Sequence, residues 1–152
     1  MILGHPVATA TTFTIHGVPQ PQGSLTRNAH GPGMHSANPH LKPWRQDLVD
    51  AAMKAWGDRD PITGPVEVVA TFTFPRPAYH YGTGRNLGTL KPSAPLAHTA
   101  KPDLDKLQRA LGDALTLAGV LRDDSLICSW AVSKIYGDHP GAHISLVLLN
   151  PI

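Results

Sequence analysis

Lys101-Pro-Asp-Leu-Asp-Lys-Leu-Gln-Arg-Ala-Leu-Gly-Asp-Ala-Leu-Thr-Leu-Ala-Gly119, continuing as Val120-Leu-Arg-Asp-Asp-Ser125, is the stretch on which the fold turns. Leu104, Leu107, Ala110, Leu111, Ala114, Leu115 and Ala118 recur at helical spacing. They predict an amphipathic helix over 104–117, with Gly119 as its C-terminal stop. Asp105, Arg109 and Asp113 stand at i, i+4 and i+8 on the opposite face. This short segment gathers five of the chain's eleven acidic residues: Asp103, Asp105, Asp113, Asp123 and Asp124. One element thus offers a core stripe on one side and a concentration of carboxylates on the other.

Working outward, residues 129–136 and 142–149 read as strands, with Asp138 to Gly141 as the loop of a hairpin between them. Upstream, Val66, Val68, Ala70, Phe72 and Phe74 alternate with Glu67, Thr71 and Thr73, the pattern of a half-buried strand over 65–74. Trp44, Leu48, Ala51, Ala52, Ala55 and Trp56 predict a helix over 43–56, with Pro43 in its first turn and Gly57 ending it. Residues 8–16 are β-branched and predict a first strand. Residues 17–43 and 75–100, interrupted by Pro and Gly, read as loops, and a loop as long as 75–100 in a compact domain is usually functional or disordered. The expectation is an α+β fold: a small mixed sheet with helices packed on it, order β-α-β-α-β-β, in a single domain over residues 1–152.

Composition narrows the class. Thirteen Lys/Arg against eleven Asp/Glu leave a formal charge of +2, too little by itself to indicate nucleic acid. Its distribution says more: Arg27, Lys42, Arg45, Lys54, Arg59, Arg76, Arg85, Lys91 and Lys101 all precede the carboxylate segment. No apolar run approaches the ~20 residues that cross a bilayer, and the N-terminus lacks a secretion signal, so a soluble cytoplasmic protein is expected. A lone Cys128 excludes an internal disulfide, and its neighbours Ile127 and Trp130 suggest a buried thiol. His30, His35 and His40 follow one another at intervals of five, which fits no compact zinc site. His98, close before Lys101, could approach the site, though it reads first as an ornament of the loop.

Each carboxylate has a plain structural role open to it. Asp103 or Asp105 can cap the helix, Asp105, Arg109 and Asp113 can form a solvated ion-paired face, and Asp-Asp-Ser at 123–125 is turn-forming. Taken together, they suggest more. The chain must turn back after Gly119, and that return can bring Asp124 toward Asp103 and Asp105. Three carboxylates in one place repel, and one takes up a proton unless a cation sits among them. Mg²⁺ prefers such oxygen ligands and is commonly shared with a substrate phosphate. Basic residues around an acidic centre point to a phosphodiester.

Asp103 to Ser125 resembles the signature of the RusA family of Holliday junction resolvases, roughly [KR]-x-D-x-D-N-L-x-K, then D-A-L, then G-x-x-x-D-D. Phe13-Thr-Ile-His-Gly-Val-Pro-Gln-Pro-Gln-Gly23 resembles the family's first strand and the Gly-x-Pro-x-x-x-Gly loop after it. The resemblance implies a homodimeric endonuclease, often of phage or prophage origin, that uses Mg²⁺ (or Mn²⁺) to place paired symmetric nicks in four-way DNA junctions during recombination and repair. It implies that Asp103, Asp105 and Asp124 hold the metal, with Asp113 and Asp123 behind them and Arg109 steadying charge. Arg27, Lys42, Arg76, Arg85, Lys91, Lys101 and Lys106 are then candidate DNA contacts. Two departures stand out: Lys106 replaces the usual Asn, and Arg109 replaces a lysine. Arginine keeps the charge and grips phosphate bidentately, but it is a poorer proton donor. Gln22 and Ser24-Leu-Thr26 stand where basic residues are common, which implies a weaker grip on DNA. The rival expectations are a phage endonuclease acting on branched or replicating DNA in general, and a non-catalytic junction-binding relative.

Overall fold

The computed structural model describes residues 6–23, 25–27, 29, 31, 34–36 and 38–149. The elements run β1 (Pro6–His16), β2 (Leu25–Arg27), β3 (Met34–Ser36), α1 (Leu41–Trp56), β4 (Val66–Phe74), α2 (Leu104–Leu117), β5 (Ile127–Tyr136) and β6 (Gly141–Leu149). The order β-α-β-α-β-β is therefore present. The expected first loop also contains the short antiparallel pair β2–β3.

The main sheet is mixed, in the order β1-β6-β4-β5. β6 is antiparallel to both β1 and β4, while β5 runs parallel to β4, with α2 in the crossover between them. This corrects the expected hairpin: β5 and β6 are consecutive in the chain but β4 lies between them. Parallel strands end at the same edge of a sheet. Gly137 N–H donates to Phe74 O at 3.0 Å, so the 137–140 link steps across the end of β4. Glycines make the step possible. A Cβ on Gly137 would lie 2.8 Å from Thr73 Cγ2, and one on Gly141 would lie 2.2 Å from Ile15 O.

One core joins α1, α2 and the helix-facing side of the sheet. Val66, Val68, Ala70, Phe72 and Phe74 are buried in strict alternation along β4. Trp44, Leu48, Ala52 and Trp56 of α1, and Leu107, Leu111, Ala114 and Leu115 of α2, meet them in the same cluster. Burying each leucine contributes about 1.5–3 kcal/mol. This stripe fixes the rotation of α2 and so turns Asp105 and Arg109 to solvent.

Two further expectations change. Cys128 is exposed. Val66 pairs with Ile127 and Glu67 with Ser129, so Cys128 is the extra residue of a bulge, and its side chain turns outward. The 75–100 segment is tied down rather than loose. Tyr136 N–H donates to Leu96 O at 2.9 Å and His98 N–H to Lys134 O at 3.1 Å, so its last residues run along the outer edge of β5.

Candidate active site

Asp103 occupies the N-cap position of α2, with extended backbone, but its carboxylate makes no capping hydrogen bond. Its carbonyl accepts from Lys106 N–H and Leu107 N–H at 3.2 and 3.3 Å. The carboxylate lies 3.5 Å from Lys106 Nζ instead. Lys106, the residue that departs from the family pattern, thus pairs with the first acidic residue of the signature.

The other end of α2 determines where Asp124 goes. Gly119 has φ 75°, a conformation natural to glycine. Its N–H donates to Thr116 O at 3.1 Å and Val120 N–H to Leu115 O at 3.1 Å, the paired bonds of a Schellman motif that reverses the chain. Ile62 N–H to Val120 O (2.8 Å) and Arg122 N–H to Ile62 O (3.1 Å) then hold the returning segment. Asp123 accepts from Ser125 N–H at 3.1 Å and starts a 3₁₀ turn over Asp124–Leu126. The turn-forming role therefore belongs to Asp123, which leaves the Asp124 side chain for other work.

Asp124 comes back onto α2 at Gly112, where a Cβ on the glycine would stand 3.8 Å from Asp124 Cβ. Asp124 shares one cleft with Asp105 and Arg109, over Gly112 and beside Trp130. It shares an adjoining hollow with Asp113 and Arg45. Asp103 borders a different groove, with Lys101 and Lys106. The fold thus brings Asp105, Arg109, Asp113 and Asp124 around one patch and turns Asp103 to its far side. Among the described residues, no three His, Cys, Asp or Glu side chains stand close enough to hold a metal ion.

Electrostatics separate the paired aspartates. Hydrogen bonding with Asp123, then burial, then the charges of Asp123 and Asp113 push Asp124 above the ordinary carboxylate range. The Ser125 N–H, followed by the hydrogen bond with Asp124, holds Asp123 below it. Hydrogen bonding, burial and nearby negative charge together favour the protonated form of Asp124, a situation a cation relieves.

Several bracing residues gave no sign of that role in the sequence, where Gln22 stood out only as a departure from the basic residues common there. Gln22 N–H donates to Lys106 O at 3.1 Å and strings the segment after β1 to α2. Its side-chain amide donates to Asp113 Oδ2 and accepts from Arg45 Nη2 at 2.9 Å. Gln22 is thus a brace between α1 and the acidic face. Lys134 reaches from β5 to donate to Ala100 O (2.8 Å) and Pro102 O (2.7 Å), which fixes the approach to Asp103. Only distance in space links these residues to the signature.

The proposed DNA contacts are scattered. Lys42, Arg85, Lys91 and Lys101 are exposed. Arg76 donates to Pro95 O at 2.7 Å and lies 5.5 Å from the Tyr136 ring, so it also clamps the 75–100 segment. Arg27 lies in β2, and its side chain is outside the described residues. His98 is no ornament: it is 7% exposed and stacks on Phe74 at 4.2 Å.

Comparison with known families places the chain among DNA-cutting nucleases: the family model described as Endodeoxyribonuclease RusA matches residues 15–147. The chain belongs to the RusA endodeoxyribonuclease family, as the resemblance over 101–125 implied. No curated protein matches it. Among the described residues no helix is long and apolar enough to cross a membrane.

Proposed function

We propose that this protein is a divalent-cation-dependent endonuclease that resolves four-way DNA junctions by paired symmetric nicks, acting as a homodimer in the cytoplasm. The observation that carries the reading is the return of Asp124 onto the helix face bearing Asp105 and Arg109, in a chain of this family. The donor set fits Mg²⁺ or Mn²⁺. It is made of carboxylate oxygens alone, and Asp124 already sits in an excess of negative charge. Asp105 and Asp124 are the residues that would hold the cation, and Asp103, which borders the neighbouring groove, would join them only by turning across the start of α2. When bound, it polarises a phosphodiester and lowers the pKa of water.

The chain's own groups do the rest. Arg109, exposed in the cleft, grips a phosphate oxygen and stabilises the charge that grows during displacement. Gln22, held by Arg45, keeps the Asp113 carboxylate in place beside Asp124. Lys42, Arg85, Lys91 and Lys101 meet the DNA backbone, which makes binding salt-sensitive and largely independent of sequence. Two protomers about a two-fold axis present two clefts, matching a junction that needs two symmetric cuts.

Titrating Mg²⁺ against a synthetic four-way junction tests this: paired nicks appear with metal and are absent in chelator. Flap, Y-shaped and linear duplex substrates cut at equal rates would show a general branched-DNA nuclease instead. Junction binding without nicking at any Mg²⁺ or Mn²⁺ concentration would leave only a binding protein.

A further inference from the structure

The groove on the far side of Asp103 holds about 570 Å³, within the ~300–1,000 Å³ typical of small-ligand sites. Its walls are mostly apolar and stiff: Val18, Pro19, Pro21, Phe74, Pro75 and Pro102. Lys101 and Lys106 line it as well, and Asp103 connects it to the carboxylate side. Hydrogen bonds hold one wall in shape. Asn38 Nδ2 donates to Gln20 Oε1 (3.1 Å) and Pro21 O (3.3 Å), and Gln20 Nε2 donates to Val18 O (3.2 Å).

His98 lines the same groove. Its ring is stacked on Phe74 with 21° between the planes, and its Nδ1 is buried without a hydrogen-bond partner. A buried polar atom left unpaired is costly, and a ligand edge that meets it after a turn of the ring toward the groove removes the cost. The needed occupant is therefore flat, largely apolar on its faces, polar at its edge, and attached to negative charge that lysines attract. A free phosphate fails the first two requirements. A paired duplex cannot offer a single flat base to so small a hollow.

Resting on the nuclease reading above, we infer that this groove seats one unpaired deoxynucleotide base at the branch point. The base enters between the Pro19–Pro21 wall and Phe74, its edge toward His98, while its backbone passes Lys101 and Lys106. The phosphodiester beyond Asp103 is then delivered toward Asp105 and Asp124. Leaving the helical stack costs least for a base that is already unpaired, so the groove favours branched DNA over linear duplex.

The test uses four-way junctions with 2-aminopurine placed in turn at each position within two nucleotides of the branch, in chelator to prevent nicking. The expected result is a several-fold rise in emission on binding at one position in each arm pair, and at no other. Val18, 44% exposed, accepts bulk without disturbing the core. Val18→Trp fills the groove, so the rise should vanish and junction affinity should fall roughly tenfold, the scale of one lost base contact. A flat wild-type profile overturns the proposal without recourse to any variant. So does an unchanged profile in a Val18→Trp protein whose circular dichroism is native. Nicking in Mg²⁺ is scored separately. Nicking with a flat profile removes the groove alone, whereas a localised rise without nicking removes the nuclease reading and leaves the groove.

Discussion

The two sides of Asp103 differ in how they are assembled. The acidic cleft draws on residues close in sequence: Asp105, Arg109, Gly112, Asp124 and Trp130, all from α2 and the chain that returns from it. The groove draws on separate segments, 18–21, 38, 74–75, 98 and 101–106, brought together by the sheet, by Asn38 bonded to Gln20 and Pro21, and by Lys134 bonded to Ala100 and Pro102. A cleft of the first kind depends mainly on one helix, its turn and the strand that follows. A hollow of the second kind exists only when the whole sheet is in register. The difference suggests a division of labour: chemistry placed by local geometry, recognition placed by tertiary structure.

The strongest way to break the comparison is at the carboxylates. Asp105→Asn and Asp124→Asn should each lower the nicking rate by about 10²–10³-fold, the scale of one lost charge-stabilising group. Gel-shift affinity for the junction in chelator should be unchanged. Undiminished cleavage by either variant would remove that residue from the site.

Gly112 tests whether local geometry is enough. Gly112→Ala adds a Cβ at ordinary contact distance and improves helix propensity by up to about 1 kcal/mol, so activity should persist and Tm should not fall. Gly112→Leu must displace Asp124 or Trp130. It should cut activity by roughly 10- to 100-fold, the penalty of misplacing a reacting group. An active Gly112→Leu enzyme would show that the close return of Asp124 is not required.

Gln22→Ala sharpens the comparison from the tertiary side. It leaves Asp113 and Arg45 without their brace and should cost about 1 kcal/mol of stability by chemical denaturation. Activity should fall by a smaller factor than in the carboxylate variants.

The groove and its surroundings should also respond to pH. Burial, then the charge of Lys134, lowers the His98 pKa; burial, then the charges of Arg76 and Lys91, lowers that of His80. Both rings are therefore held neutral in the folded state, while the unfolded chain takes up their protons near pH ~6.5. Their stabilising contribution is complete above ~6.5 and is lost as pH falls toward the depressed folded values. Tm should decline over that interval, and His98→Phe should flatten part of the decline. The smallest effect expected is for Lys106→Asn: releasing Asp103 from its ion pair should lower the Mg²⁺ needed for half-maximal cleavage about two-fold, since exposed pairs are weak.

These contrasts also explain what could be read in advance. The α2 stripe, the alternation of β4 and the Gly119 stop are local patterns, and they appear in the fold within a residue or two. The position of β6 does not: a short link implies nearness in the chain, and only the parallel pairing of β4 with β5 reveals that the link steps over a strand. The carboxylates were legible because their residue types are rare and clustered. Gln22, Arg45 and Lys134 were not, because neutral amides and surface cations are common and their meaning comes from partners far along the chain. His98 was misjudged for the same reason, since its stacking on Phe74 exists only once the 96–102 segment lies along β5.

The interior place of β6 has a consequence for biosynthesis. Of the strands described, β6 is made after the others and is the one that joins β1 to β4, so until it emerges β1 has no neighbour in the main sheet. A nascent chain of this design cannot complete its main sheet until β6 has emerged.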